Sequence, residues 1–267
     1  MPKKRIIFSL LYDGGYFVLS RNFRLQKIGD LRWLEKNYNF ERVSAYIDEL
    51  VVLNVSRADD INWNQFLDTV GALAERNFVP ISAGGFGQDA NLAKRLLRVG
   101  ADKLVVNSAL WENLPLVEKL VNDFGRQCVV GSFDIQKTTT GESFVLTAKG
   151  SSQVRGSASD ALSRLPDGLL GEVMLRSVQR DGTGFGLDLD LPGILPKHLQ
   201  DLPLILGGGV GKPAHIIEGL QSPDIAAVTT ANLLNFIGLG LEDARTQCLA
   251  AKIDLANWPR RELRNLG

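Results

Sequence analysis

The sequence predicts a (β/α)8 barrel, in which eight parallel strands alternate with helices around a closed core. Short apolar runs alternate along the chain with longer amphipathic runs, which is the pattern of repeated strand–helix units. Segments of the first half also reappear in the second half at a nearly constant spacing. Such a repeat favours a barrel of two equivalent half-barrels over an open, doubly wound sheet.

Eight apolar segments supply the predicted strands. They are Ile6–Leu11, Glu49–Val55, Val79–Ala83, Lys103–Asn107, Cys128–Asp134, Glu172–Ser177, Leu204–Gly207 and Ala226–Thr230. Helical patterns fall between several of these strands, at Asn62–Arg76, Asp89–Val99, Pro115–Phe124 and His215–Leu220. Eight such units in 267 residues match the usual size of this barrel, so we predict one domain over residues 1–267.

The internal repeat is clearest at two places. Ala83–Gly87 in the first half corresponds to Gly207–Gly211 in the second, and Glu49–Leu53 corresponds to Glu172–Arg176. The stretch Lys137–Ser159 is rich in threonine, serine and glycine, and it predicts a long loop after the fifth strand.

The composition narrows the class of protein. The chain is 45% hydrophobic and 22% charged, as ordinary globular enzymes are. Its 30 basic and 30 acidic residues balance, which argues against nucleic acid or an anionic membrane surface as a partner. Two cysteines make neither a disulfide framework nor a paired metal motif. We therefore expect a cytoplasmic protein without a membrane span, a metal or an organic cofactor.

Two glycine clusters follow strands at the end of the barrel where active sites of this fold lie. Backbone without side chains can approach a phosphate closely and offer its N–H groups. We expect the phosphate-binding groups to be Gly84, Gly85, Asn107, Ser108, Asp181, Gly182, Gly208, Gly209, Thr230, Ala231 and Asn232. Alternatively, the glycines and the Arg180–Gly184 segment form plain turns. We expect the second cluster to bind an anion more readily, because Phe86 interrupts the first.

Asp134 ends the fifth predicted strand, between the two glycine clusters. A carboxylate at this position can act as a general acid or base. It can instead pair with Lys137 or cap a turn. Its counterpart in the first half of the repeat is Leu11, which cannot transfer a proton.

Six segments along nearly the whole chain resemble the cyclase subunit of imidazole glycerol phosphate synthase. They are Arg5–Ile7, Asp48–Val51, Gly100–Lys103, Phe124–Cys128, Arg180–Thr183 and Gly207–Gly209. The resemblance implies a lyase-type synthase subunit that takes ammonia from a glutaminase at the N-terminal face of the barrel. The ammonia then passes through the barrel to a bisphosphorylated substrate at the opposite face.

Four charged residues match the gate through which that family admits ammonia: Arg5, Glu49, Lys103 and Glu172. Asp102 matches a residue that contacts the glutaminase subunit. The four charges can alternatively be a stabilising ring of ion pairs.

Several residues depart from the family pattern. The family has a second catalytic aspartate where this chain has Leu11, so half of the acid–base pair is missing unless Asp13 replaces it. Asn54 stands in place of an aspartate, Leu19 in place of a lysine, and Phe86 in place of a glycine.

An intact gate with damaged cyclisation chemistry resembles a divergent branch of the family associated with surface-polysaccharide genes. Members of that branch pair with their own glutaminase and are thought to deliver ammonia to a sugar amidotransferase. Two alternatives stay open at this point. One is an authentic histidine-pathway cyclase, and the other is a non-catalytic binding module that activates a glutaminase.

Overall fold

The computed structural model describes residues 3–38, 43–57, 61–76, 79–231 and 240–256. Its strands are β1 Arg5–Asp13, β2 Tyr16–Arg21, β3 Arg24–Gly29, β4 Glu49–Asn54, β5 Ile81–Gly84, β6 Lys103–Val106, β7 Val129–Lys137, β8 Ser143–Thr147, β9 Ser152–Gln153, β10 Glu172–Ser177, β11 Leu204–Gly207 and β12 Ile225–Thr230. Its α-helices are α1 Leu31–Tyr38, α2 Trp63–Arg76, α3 Ala90–Arg98, α4 Ala109–Glu112, α5 Leu114–Phe124, α6 Ala158–Ser163, α7 Lys197–Gln200, α8 Pro213–Gln221 and α9 Gly240–Ala250.

Eight parallel strands close into a barrel in the order β1, β4, β5, β6, β7, β10, β11 and β12, and β12 pairs again with β1. This arrangement confirms the predicted (β/α)8 fold, with each of the eight predicted strands present. The observed ends differ by one to three residues in places: the third barrel strand is Ile81–Gly84, the fifth continues to Lys137, and the eighth is Ile225–Thr230.

The interior of the barrel is filled by alternate residues of the strands, because successive side chains of a strand point to opposite faces. These inward residues form an apolar cluster with Val18 of the β2 strand, and its barrel members are Ile7, Leu11, Val51, Leu53, Val105, Val130, Met174, Ile205 and Ala227. The outward residues pack against the helices in a larger apolar layer.

Helix α3 shows how local sequence sets the outer layer. The Asp89 carboxylate caps the helix start by accepting hydrogen bonds from the N–H groups of Asn91 and Leu92. Leu92 and Leu96, four residues apart, are buried on one face of this helix, while Arg95 and Arg98 lie in its last turn.

Two β-hairpins extend from the barrel at equivalent positions of the two halves. Strands β2 and β3 follow β1, and strands β8 and β9 follow β7. The prediction of a long loop over Lys137–Ser159 is therefore wrong for the residues that form β8 and β9. Ser143–Thr147 pairs with the extended end of β7, and burial of Val145 and Leu146 stabilises this strand despite its polar flanks. None of the described helices is long and apolar enough to cross a membrane.

Candidate active site

Two cavities open at the mouth of the barrel, where the eight strands end. The larger cavity, of about 250 Å³, lies beside the first glycine turn, Gly84–Gly87. The smaller cavity, of about 60 Å³, lies beside the second glycine turn, Gly207–Gly211. The clusters predicted from the sequence thus border separate cavities.

Asp134 lies on the wall of the larger cavity and is 3% exposed. Its Oδ1 accepts a 2.8 Å hydrogen bond from Nε of Arg176 and forms an ion pair with Nη2 of the same guanidinium at 2.7 Å. Its Oδ2 accepts a hydrogen bond of 3.2 Å from Nδ2 of Asn107. Burial raises the pKa of the Asp134 carboxyl, and the Arg176 guanidinium opposes this increase. A buried carboxyl whose pKa is raised suits proton transfer near neutral pH.

The alternative pairing of Asp134 with Lys137 is wrong. The Lys137 ammonium binds Asp188 at 2.7 Å. The partner of Asp134 is Arg176, which the sequence reasoning missed. The sequence does contain a signal for Arg176. It lies four positions after Glu172 in the same strand, so both side chains point to the same face of the sheet.

The first glycine turn is closely packed. A Cβ atom on Gly85 would lie 2.1 Å from the carbonyl oxygen of Asn54, so neighbouring backbone explains this glycine. Phe86 is 3% exposed and lines the cavity wall. The hydroxyl of Ser108 lies 2.9 Å from the Thr147 hydroxyl and accepts a 2.9 Å hydrogen bond from the N–H of Ala148. Ser108 thus links the end of β8 to the segment that follows β6.

The second glycine turn borders the smaller cavity. Gly208, Gly209, Thr230 and Ala231 line the smaller cavity together with Gly182. Asn232, the remaining residue predicted for this site, lies outside the described residues. The greater anion affinity of this turn stays a prediction.

Packing against a neighbouring loop explains part of the glycine content here. A Cβ atom on Gly209 would lie 2.1 Å from the carbonyl oxygen of Gly186, whose N–H donates to the Gly209 carbonyl at 2.8 Å.

Asp181 holds the β2–β3 hairpin over the mouth. Its Oδ2 accepts a 2.5 Å hydrogen bond from the Ser20 hydroxyl and a 3.2 Å bond from the N–H of Phe23. Its carbonyl accepts a 3.0 Å bond from the N–H of Asn22. Gly182 lies against the same hairpin, because its Cβ would be 2.2 Å from the Ser20 carbonyl oxygen. These contacts give both residues a structural use alongside the predicted phosphate binding.

The departures from the family pattern also lie at the mouth. Leu11 is buried and lines both cavities, whereas Asp13 lines neither. Asn54 is buried at the larger cavity, where its Oδ1 accepts a 3.0 Å hydrogen bond from the N–H of Ser56. Leu19 lines the smaller cavity.

The charged ring of Arg5, Glu49, Lys103 and Glu172 closes the opposite end of the barrel. Arg5 contacts Glu49 at 2.8 Å and Glu172 at 3.1 Å. Lys103 contacts Glu49 at 3.2 Å and Glu172 at 3.0 Å. Burial acts to lower the pKa of Arg5, but the two carboxylates outweigh it and raise that pKa. Each charge therefore has two opposite neighbours.

Asp102 lies at the same end, next to Lys103 in the chain. It is exposed, and its Oδ2 accepts a 2.8 Å hydrogen bond from the N–H of Ile81. The apolar barrel interior separates this end from the mouth.

Sequence comparison decides the family. The profile of histidine biosynthesis proteins matches residues 29–237. The chain belongs to the histidine biosynthesis protein family. A protein of Parasynechococcus marenigrum, provisionally described as imidazole glycerol phosphate synthase subunit hisF2, is 43% identical over 97% of this chain and 96% of its own length.

Other histidine biosynthesis relatives are more distant. Imidazole glycerol phosphate synthase subunit HisF of Clostridium botulinum is 33% identical over 92% of this chain and 95% of its own length. The HisF subunit of Streptococcus mutans is 30% identical over 92% of this chain and 96% of its own length. The chain is thus a divergent HisF-like cyclase subunit.

Proposed function

We propose that this HisF-like chain is the ammonia-receiving subunit of a glutamine amidotransferase. In this proposal a HisH-like glutaminase binds the N-terminal face, with Asp102 at the contact. Its ammonia passes the charged ring, crosses the apolar interior and reaches an acceptor at the mouth. The acceptor we favour is a sugar for surface polysaccharide, modified together with a sugar amidotransferase.

The observation that carries this proposal is a closed ring at one end of the barrel with an altered mouth at the other. All four ring side chains are in contact, as a gate requires. At the mouth, Leu11 supplies no proton-transfer group, so Asp134 is the one catalytic aspartate of the family pattern that this chain keeps. Selection for histidine-pathway cyclisation alone does not explain this difference between the two ends.

The chemistry proposed for the mouth needs few groups. In this proposal, neutral ammonia adds to a carbonyl carbon of the acceptor, so the C–N bond forms as the carbonyl π bond breaks and its electrons pass to oxygen. Asp134 accepts a proton from the ammonium nitrogen and passes it to that oxygen, while Arg176 and Asn107 stabilise the charged form of Asp134. The glycine turns are the candidate sites for a phosphate group of the substrate.

Two alternatives remain. In an authentic histidine-pathway cyclase, water or Asp13 would replace the missing aspartate, but Asp13 does not line either mouth cavity. In a non-catalytic module that activates a glutaminase, the mouth would have no chemical role. The ion-pair ring would then serve stability alone.

Reconstitution tests these alternatives. The chain is combined with a HisH-like glutaminase and supplied with glutamine or ammonium. One series contains the family's bisphosphorylated substrate, and the other contains a sugar amidotransferase with its sugar substrate. We expect nitrogen transfer only in the sugar series, and its loss in Asp134→Asn. Turnover of the bisphosphate near that of an ordinary cyclase would overturn the proposal. An Asp134→Asn complex with unchanged product formation would favour the activating module.

A further inference from the structure

The two mouth cavities are separated by a common wall. Leu11, Ser20, Arg176 and Asp181 line both cavities, and we refer to these four residues as the partition. A ligand with one end at each glycine turn would have to pass through the partition. The partition therefore limits the length of the ligand that the mouth can bind.

The partition is held by charged groups rather than by apolar contact alone. The Arg176 guanidinium donates one hydrogen bond from Nε to Oδ1 of Asp134 and forms an ion pair with that oxygen through Nη2, and Asp134 is 3% exposed. Moving Arg176 aside would leave that buried carboxylate without its cation, which is strongly unfavourable. Nearer the hairpin, the Ser20 hydroxyl donates to Asp181. Both pairs keep the wall in place.

Three buried polar atoms of the larger cavity have no hydrogen-bond partner in the structure: Nδ2 of Asn54, Oδ1 of Asn107 and Oγ of Ser132. Hydrogen bonds orient the two amides, because Asn54 accepts from Ser56 and Asn107 donates to Asp134. The cavity therefore offers an N–H donor, an acceptor oxygen and a hydroxyl. Unpaired buried polar atoms call for a ligand or water, and this neutral set matches the hydroxyl groups of a sugar.

Two cations line the same cavity, Arg57 and Lys149. The Lys149 ammonium donates to the Ser56 carbonyl, and Arg57 Nη2 donates to the Lys149 carbonyl at 3.0 Å. Among the described residues no carboxylate forms an ion pair with either cation, although Asp13 attracts Lys149 from farther away. Lys149 also has a positive φ of 59°, a conformation uncommon outside glycine. The two cations on this side of the larger cavity can therefore bind one anionic group of a ligand.

We infer that the partition confines the acceptor to the larger cavity, which takes a compact polyhydroxylated ligand with one anionic group instead of a ligand spanning both glycine turns. In this arrangement, Asn54, Asn107 and Ser132 bind hydroxyl groups, while Lys149 binds the anion. Arg176 becomes the residue that determines specificity. The inference rests on the proposed function and narrows its acceptor class.

Calorimetric titration of the isolated chain tests the inference without the glutaminase, so its outcome is independent of ammonia transfer. The compact probe is glucuronate. The spanning probe is decanediol phosphorylated at both ends, compared with decanediol phosphorylated at one end. We expect glucuronate to bind the parent chain, and the two decanediol esters to bind it with affinities within about threefold, because only one end is engaged.

Variants separate the two parts of the inference. Arg176→Ser should open the partition, so that the doubly phosphorylated ester binds at least about tenfold more tightly than the singly phosphorylated one. Arg176→Lys keeps a cation in the wall and should behave as the parent. Lys149→Ala should weaken glucuronate at least about tenfold while leaving the ratio of the two esters unchanged. If Arg176→Ser fails to fold, Arg176→Ser combined with Asp134→Asn removes both charges.

Three results would overturn the inference. The first is a parent chain that already prefers the doubly phosphorylated ester by tenfold or more. The second is an opened variant, verified as folded by circular dichroism, that gains no such preference. The third is glucuronate binding that is absent from the parent or insensitive to Lys149→Ala.

Discussion

Replacing Lys103 with methionine removes one of the two cations of the charged ring while keeping a long side chain. Glu49, whose side chain is 2% exposed, and Glu172 would then share Arg5 alone. Breaking a buried ion pair costs about 3–5 kcal/mol. Lys103 is itself 19% exposed, so water moderates the loss and we expect about 2–3 kcal/mol.

This loss has two measurable consequences. The melting temperature of the isolated chain should fall by about 4–12 °C, since about 2–4 °C accompanies each kcal/mol for a chain of this size. In the reconstituted complex, a ring weakened by about 2–3 kcal/mol should be open roughly 30–160 times more often. Glutamine would then still be hydrolysed, but less of its nitrogen would reach the acceptor.

The assay compares Lys103→Met with Lys119→Met, a matched substitution on the exposed side of helix α5. Lys119 lies 3.5 Å from Asp123 in a solvent-exposed pair, so its loss should change neither stability nor transfer. Free ammonium should restore product formation in Lys103→Met, because it can enter from the mouth. Glutamine-dependent transfer as efficient as in the parent, despite the lower melting temperature, would refute the gate and leave a ring that serves stability alone.

Three further predictions concern stability and reactivity. Arg245→Met should lower the free energy of unfolding by about 3–5 kcal/mol in urea titrations, because Arg245 forms a buried 2.9 Å ion pair with Asp48, the residue before β4. A loss below about 1 kcal/mol would contradict this expectation. Gly209→Ala should lower the melting temperature more than Gly193→Ala, since the added Cβ meets backbone at 2.1 Å at a φ of +100°, whereas Gly193 has open space; equal melting temperatures would argue against the packing described. Burial raises the pKa of the Cys248 thiol to about 11. The unfolded chain ionises this thiol more readily than the folded protein, so the free energy of unfolding is unaffected by Cys248 below about pH 9 and decreases as the pH rises towards 11. In native protein at pH 8.5, mass spectrometry should find iodoacetamide on the partly exposed Cys128 well before Cys248, and the reverse order would refute this.

Short apolar runs separated by amphipathic stretches predicted the eight barrel strands, because strands buried on both faces, as β4 is, leave continuous apolar segments in the sequence. The same reasoning missed both hairpins. The β8 segment has polar flanks, and its pairing with the end of β7 becomes favourable only once the barrel presents that edge. Strand formation there depends on long-range contacts that local sequence does not contain.

For the site, the sequence by itself determined which residues end each strand, and hence that Asp134 and both glycine turns lie at the mouth. It also determined the alternating charges at the strand starts. Only the tertiary structure decided how these groups pair. Arg176 and Asp134 are neighbours in register on adjacent strands, although 42 residues separate them in the chain, and their ion pair forms only when β10 docks beside β7. Ion pairs are sensitive to distances of a few ångströms, and closure of the barrel sets those distances.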